Sequence, residues 1–138
     1  MEIDGCLHSR IGGGMLVLLG IEAQDTAADI DWLCGKISRL RIFDDVAGVM
    51  NLSLDEVGGE CMVISQFTLM ASTKKGNRPS YIRAAAPAVS EPLYRQFVES
   101  LGRLLSKPVA TGVFGADMQV ELVNDGPVTI WMDSKMRE

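Results

Sequence analysis

Met15-Leu-Val-Leu-Leu-Gly-Ile21 is a continuous apolar run, and it limits the folds open to this chain more than any other segment. It lacks the polar alternation of a half-solvated strand, so it reads as a strand buried on both faces. A membrane helix takes about 20 apolar residues, and this run is far shorter. Gly12, Gly13 and Gly14 precede the run, and no helix opens after them. They read as a hairpin turn, since a phosphate-cradling loop follows its strand and leads into a helix.

The remaining periodicities supply what encloses that strand. Thr26-Ala-Ala-Asp29 has capping-box spacing, and Ile30, Leu33, Ile37 and Leu40 then fall on one helical face. Ser90-Glu91-Pro92 opens a second helix, with proline tolerated in the first turn and Leu93, Phe97, Leu101 and Leu104 as its apolar face. Strands are expected over residues 60–69, 109–111, 118–123 and 128–132, with a polar loop at 72–80. Asp44-Asp45-Val-Ala-Gly48 reads as a solvated turn, with metal ligation by the paired aspartates the alternative. Two helices among six or seven strands imply one mixed α/β domain over residues 1–138, its sheet strongly curved and barrel-like.

Composition narrows the function classes. The chain has 138 residues, 47% hydrophobic and 22% charged, which suits one globular domain with a real core. A formal charge of −5 argues against a general nucleic-acid coat but leaves room for a small basic patch. The only dense one is Thr73-Lys-Lys-Gly-Asn-Arg78, either a solvated loop or a means of steering a phosphate-bearing substrate. Cys6, Cys34 and Cys61 are odd in number and form no CxxC pair, as expected of reduced thiols. The first residues lack the basic and apolar regions of a signal peptide, so the expectation is a soluble cytoplasmic protein.

His8 is the single histidine and reads as an ordinary surface residue, and neither HExxH nor GxSxG is present. Hydrolysis by this chain would therefore rest on hydroxyls, backbone donors, carboxylates or the substrate itself. Ser65-Gln66-Phe67-Thr68-Leu69 is the best internal candidate, with two hydroxyls and an amide where a core strand would continue with Val or Ile. In strand period, Ser65, Phe67 and Leu69 share one face while Gln66 and Thr68 share the other. The second unusual stretch is Asn124-Asp-Gly-Pro-Val-Thr129, which places a Gly-Pro pair between two segments that both read as β. Proline lacks the N–H a ladder needs, so the pair makes a tight corner or presents carbonyls to something outside the sheet.

Together these residues resemble the D-aminoacyl-tRNA deacylases. The likeness runs from about Ile3 to Ser134 and includes Leu40-Arg-Ile-Phe-Asp-Asp45, Met50-Asn51, Gly76-Asn-Arg-Pro-Ser80 and Phe114-Gly-Ala-Asp-Met-Gln119. Its diagnostic motifs, SQ-x-T and N-x-G-P-V-T, are both intact. The resemblance implies a homodimer, without cofactor or metal, that hydrolyses the ester between a D-amino acid and the 3′-terminal adenosine of tRNA. Translation proofreading, with glycine accepted beside D-amino acids, is the role implied. Ser65, Gln66, Phe67 and Thr68 would form the catalytic strand, with backbone N–H groups around Gln66 and Phe67 as the oxyanion hole. Thr68 is a nucleophile by type but has no evident base, and the family picture favours the tRNA 2′-hydroxyl. Gly126 and Pro127 would be joined by a cis peptide and reach into the partner's pocket, where their carbonyls exclude an L side chain. With Asn124 they form the substrate side, while Phe114 and Met118 would line the terminal-adenosine pocket.

Met1 falls where relatives are entering their second strand, so the usual first strand is expected to be absent. Two other classes remain open at this point: an RNA- or DNA-binding module that retains the fold without catalysis, and a small-molecule acyl hydrolase.

Overall fold

A computed structural model describes residues 1–137. Its elements in chain order are β1 (Glu2–Ile3), β2 (Cys6–Leu7), β3 (Gly14–Leu19), α1 (Ala27–Arg39), β4 (Phe43–Asp44), β5 (Met50–Leu52) and β6 (Glu60–Ser65). A 3₁₀ turn (Phe67–Met70), α2 (Pro87–Leu105), β7 (Ala110–Thr111) and β8 (Met118–Gln119) complete them.

The organising ladder is β3-β6-β7, parallel throughout, with Gly14 opposite Glu60, Leu19 opposite Ser65 and Val63 opposite Thr111. Parallel neighbours need long crossovers, and α1 and α2 fall between the strands that they connect. Side chains of β6 alternate between two clusters. Cys61 and Val63 join Leu19, Ile30, Cys34, Ile37, Tyr94, Phe97, Leu101 and Leu105 under the helices. Met62 and Ile64 join Met1, with Ile3, Leu16 and Met118 packed against them, on the side of the antiparallel ladder β2-β1-β8. The strand enclosed on both faces is thus β6. β3 lies at the ladder's edge, with Leu18 43% exposed, because no described residue pairs along its other side.

Both helices form for legible reasons. The Asp29 carboxylate accepts the Thr26 backbone N–H at 2.9 Å, closing the capping box at the start of α1. α2 starts earlier than expected, at Pro87, whose fixed φ and missing N–H suit a first helical position. Its buried stripe is Tyr94, Phe97, Leu101 and Leu105. Leu104, expected on that face, points outward at 48% exposure.

The sheet departs from expectation. Among the described residues there are three small ladders, β2-β1-β8, β3-β6-β7 and β4-β5, and no strongly curved barrel-like sheet. Regular pairing ends at Gln119, so the strands expected over 118–123 and 128–132 reduce to the two residues of β8. The alternation of residues 120–132 is genuine, but a strand needs a neighbouring edge to exchange N–H···O bonds. No described residue supplies one, so the sheet does not close.

Candidate active site

The first candidate segment sits where β6 ends. The Gln66 N–H donates to the Leu19 carbonyl at 2.8 Å, and the chain then tightens instead of continuing as a strand. The Leu69 N–H donates to the Gln66 carbonyl at 3.2 Å, and the Ala71 N–H to that of Thr68 at 3.2 Å. The two-faced strand expected over 65–69 is therefore a 3₁₀ turn after Ser65, in which i and i+3 eclipse. The Gln66 side-chain amide donates to Thr68 Oγ1 in a short hydrogen bond. No carboxylate or imidazole among the described residues reaches that hydroxyl. The Phe67 and Thr68 N–H groups, at the start of the turn, have no acceptor among the described residues. Phe67 is 56% exposed and held edge-on by Tyr81, with ring centroids 5.1 Å apart at 77°.

Gly20 backs this turn. A Cβ there would lie 2.7 Å from Met70 Cε, 3.1 Å from Leu69 Cβ and 3.3 Å from the Gln66 carbonyl oxygen. The basic loop follows the turn directly. Mutual backbone bonds between Ser72 and Ser80, at 2.7 and 2.9 Å, close its base, and Lys74, Lys75 and Arg78 are exposed along it.

The second segment is a braced corner. Asn124 Oδ1 accepts the Val128 N–H at 2.9 Å, and Asn124 Nδ2 donates to Thr129 Oγ1 at 3.0 Å. The first, fifth and sixth residues of the motif thus hold one another, and both polar ends of Asn124 serve the corner. The Gly126–Pro127 bond at its tip is cis, and both residues are exposed. Gly126 has φ +131°, a left-handed value that disfavours any side chain, and a Cβ there would sit 3.0 Å from Val128 Cγ2.

Phe114 and Met118 part company. Phe114 lies 6.0 Å from the Tyr94 ring and lines a cavity of about 450 Å³ with Glu91, Arg95 and Thr111. Met118 packs beneath Gly112 in the cluster of Met1, Met62 and Ile64, and does not line that cavity. Tyr94, unremarked in the sequence, donates its hydroxyl to the Val63 carbonyl at 2.8 Å. Burial raises its pKa, against a lowering backbone bond at Gly112. An aromatic on the buried stripe of α2 was the available signal, but its polar tip had no visible partner.

Of the paired aspartates, Asp44 ends β4 and Asp45 is taken up by the turn. The Asp45 carboxylate accepts the Ala47 N–H at 2.9 Å, the Val49 N–H at 3.0 Å and Asn51 Nδ2 at 3.1 Å, so it shapes the β4–β5 turn. Those bonds, Val49 first, hold its carboxyl below the usual range. His8 is exposed, and no helix among the described residues is long and apolar enough to cross a membrane.

A cavity of about 440 Å³ separates β3 and α1 from the C-terminal segment, and Leu69, Met70, Asn124, Val128 and Thr129 share its wall. It brings the flanks of the two motifs to one groove. Among the described residues, no hydrogen bond joins 65–68 to 124–129 within the chain.

A family model for D-Tyr-tRNA(Tyr) deacylase matches residues 1–133. A D-aminoacyl-tRNA deacylase of Bacteroides thetaiotaomicron is 65% identical over 138 residues, covering 100% of this chain and 92% of that protein. Its counterpart in Chromobacterium violaceum is 60% identical, with the same coverage. Among solved structures, one described as a c-Myc DNA Unwinding Element Binding Protein superposes with TM-score 0.86 at 38% identity, covering 94% of this chain and 87% of that one. A probable eukaryotic D-amino acid tRNA deacylase shares the fold, with TM-score 0.71 at 17% identity over 84% of this chain and 83% of that one. With matches of this extent and identity, the chain belongs to the D-Tyr-tRNA(Tyr) deacylase family.

Proposed function

We propose that this chain hydrolyses the ester of D-aminoacyl-tRNA, releasing the free D-amino acid and tRNA, as a cytoplasmic proofreading enzyme. The observation that carries the reading is membership of the family along nearly the whole chain, with SQ-x-T and N-x-G-P-V-T both intact. Water forms the new bond to the ester carbonyl carbon, and the ribose 3′ oxygen leaves with a proton. The Phe67 and Thr68 N–H groups are the donors for the oxyanion of the tetrahedral intermediate. The Gln66 N–H is already engaged by Leu19, which moves the donor pair one residue along from that expected. Removing one such donor typically costs about 2.7–4 kcal/mol of transition-state stabilisation. No base among the described residues reaches Thr68, so the substrate's own 2′-hydroxyl assists while Ser65 to Thr68 position the ester.

Selectivity comes from the exposed Gly126-Pro127 corner, whose backbone excludes an L side chain and admits a D one. Glycine, with no side chain to exclude, is accepted as well. The corner and the turn make no hydrogen bond to each other within one chain, and Leu122, Val123, Ile130 and Trp131 are 57%, 90%, 52% and 66% exposed around the corner. Both observations favour a homodimer in which each corner enters the other protomer's pocket. Phe114 offers its ring to the terminal adenosine, and the loop carrying Lys74, Lys75 and Arg78 steers the tRNA end.

Paired single-turnover assays on D- and L-tyrosyl-tRNA test this reading. Release of D-tyrosine with L-tyrosyl-tRNA spared is expected; equal rates on both would overturn it. The likeness to a protein described as DNA-binding favours one second reading, retention of nucleic acid without hydrolysis. Bound D-tyrosyl-tRNA that stays esterified would establish it instead.

A further inference from the structure

The arm that carries the Gly126-Pro127 corner, residues 120–137, is tethered by very little. On its N-terminal side β8 pairs with β1, Met118 opposite Ile3 and Gln119 opposite Glu2. Beyond that, its backbone bonds and the Asn124 brace stay within the arm. Among the described residues, the hydrogen bonds and ion pairs that leave the arm all end on two carboxylates in and just before the first turn of α1. Ser134 Oγ donates to Asp29 Oδ1 at 2.8 Å, and Lys135 Nζ to Asp29 Oδ2 at 2.7 Å. Lys135 Nζ also pairs with Asp25 Oδ1 at 3.2 Å. Asp29 is 9% exposed, so these are partly desolvated, charge-assisted bonds, stronger than a surface pair. Met132 adds an apolar contact to the main core just before the tether.

We infer that Asp29, acting through Ser134 and Lys135, is a positioning residue for stereochemical discrimination: it fixes the C-terminal root of the arm and so sets where the Gly126-Pro127 corner stands. The inference rests on the gate assigned to that corner above. A corner with no ladder on either flank takes its position from its two roots, and β8 supplies only one. Small displacements matter in such a site, because a shift of about 1 Å can change a rate by about 100-fold. The same carboxylate caps α1 through the Thr26 N–H, so one side chain couples the arm to the helix framework.

The test compares the kcat/KM ratio for D- over L-tyrosyl-tRNA in Lys135→Ala, Ser134→Ala, Asp29→Asn and Lys135→Arg. Lys135 is 41% exposed and lies outside helix and strand, so its truncation leaves the α1 cap in place. Lys135→Ala and Asp29→Asn are expected to lower the D-over-L ratio by about tenfold, with D-substrate kcat changing far less. Lys135→Arg restores most of the ratio, and the Asp29→Asn/Lys135→Ala double variant is no worse than either single, as for two ends of one interaction. Pro127→Ala is measured alongside. If Pro127→Ala erodes the ratio while a folded Lys135→Ala protein keeps it, the tether is not a positioning device. If Pro127→Ala leaves the ratio unchanged, the gate itself falls, and the tether's role with it. Should Asp29→Asn fail to fold, the Lys135 and Ser134 variants decide the matter.

Discussion

The turn at the end of β6 and the arm that follows β8 both carry a family motif, yet they are built in opposite ways. The turn grows out of a central strand whose residues Cys61 to Ile64 are all buried, with Leu19 at the end of β3 bonded to it and Gly20, just beyond β3, close behind it. The arm has no ladder, exposes most of its apolar side chains, and is held by an internal brace, a two-carboxylate tether, the Met132 contact and the stack of Arg137 on Trp32. The oxyanion donors proposed in the turn must stand still to be effective, so packing suits them. In the proposed dimer, a corner that enters another protomer's pocket must be exposed to reach it. If this contrast is sound, damage to the packed half removes stability and rate together, while damage to the arm removes selectivity alone.

The largest effect should come from the core beneath the turn. Leu101 is 0% exposed and packs in the same cluster as Val63 of β6. Leu101→Ala should cost about 2–5 kcal/mol in urea unfolding, with the D-over-L ratio of the remaining folded protein unchanged. A loss of selectivity at full stability would break the contrast. Gly20→Ala is next, since an added methyl would press on Leu69 Cβ and the Gln66 carbonyl. Overpacking of this kind costs about 1–3 kcal/mol, and here it should also slow D-substrate turnover by displacing the Phe67 and Thr68 donors. An unaltered single-turnover rate in Gly20→Ala would remove those donors from the mechanism.

Asn124→Ala probes the arm. Its two hydrogen bonds lie on an exposed corner, so global stability should move by no more than about 0.5 kcal/mol. The D-over-L ratio should nevertheless fall, because Val128 and Thr129 lose the side chain that holds the corner's shape. A stability loss comparable to Leu101→Ala would show that the arm is part of the core after all.

The same contrast explains what could be read from the sequence. Thr26 with Asp29, the 3.6-residue spacing of Ile30, Leu33 and Ile37, and the turn chemistry around Asp45 are local signals, and each gave the right element. The failures are at positions decided by neighbours. Residues 128–132 alternate as a strand does, but alternation records which faces differ and not whether an edge is present to pair with. Ser65 to Leu69 looked like a strand because their composition continues β6. The turn forms where Gln66 is held by Leu19 and where Gly20 leaves room for Met70 and Leu69, and both neighbours lie far away in sequence. Asp29 was legible as a cap. Its second partnership, with Ser134 and Lys135, spans most of the chain and carries no periodic mark.

Acid probes the carboxylate at the root of the arm, which also caps α1. Burial pushes the Asp29 carboxyl up, but hydrogen bonds from Lys135, the Thr26 N–H and Ser134 outweigh it and bring the pKa down from 3.8 to about 2. A carboxyl depressed in the folded state contributes stability that is complete above its unfolded value and is lost as pH falls through the folded one. The tether should therefore hold at pH 5 and release between about pH 4 and 2. At the alkaline end it persists, because the Asp29 hydrogen bond raises the Lys135 pKa above its ordinary value. Arg137 stacks over the Trp32 ring at 4.6 Å, just beyond the tether, so release of the arm should alter Trp32 fluorescence. In Asp29→Asn that acid transition should vanish while the far-ultraviolet helical signal stays. If the fluorescence and helical signals instead change together in the native protein, and neither responds to Asp29→Asn, the arm and the packed body are one cooperative unit.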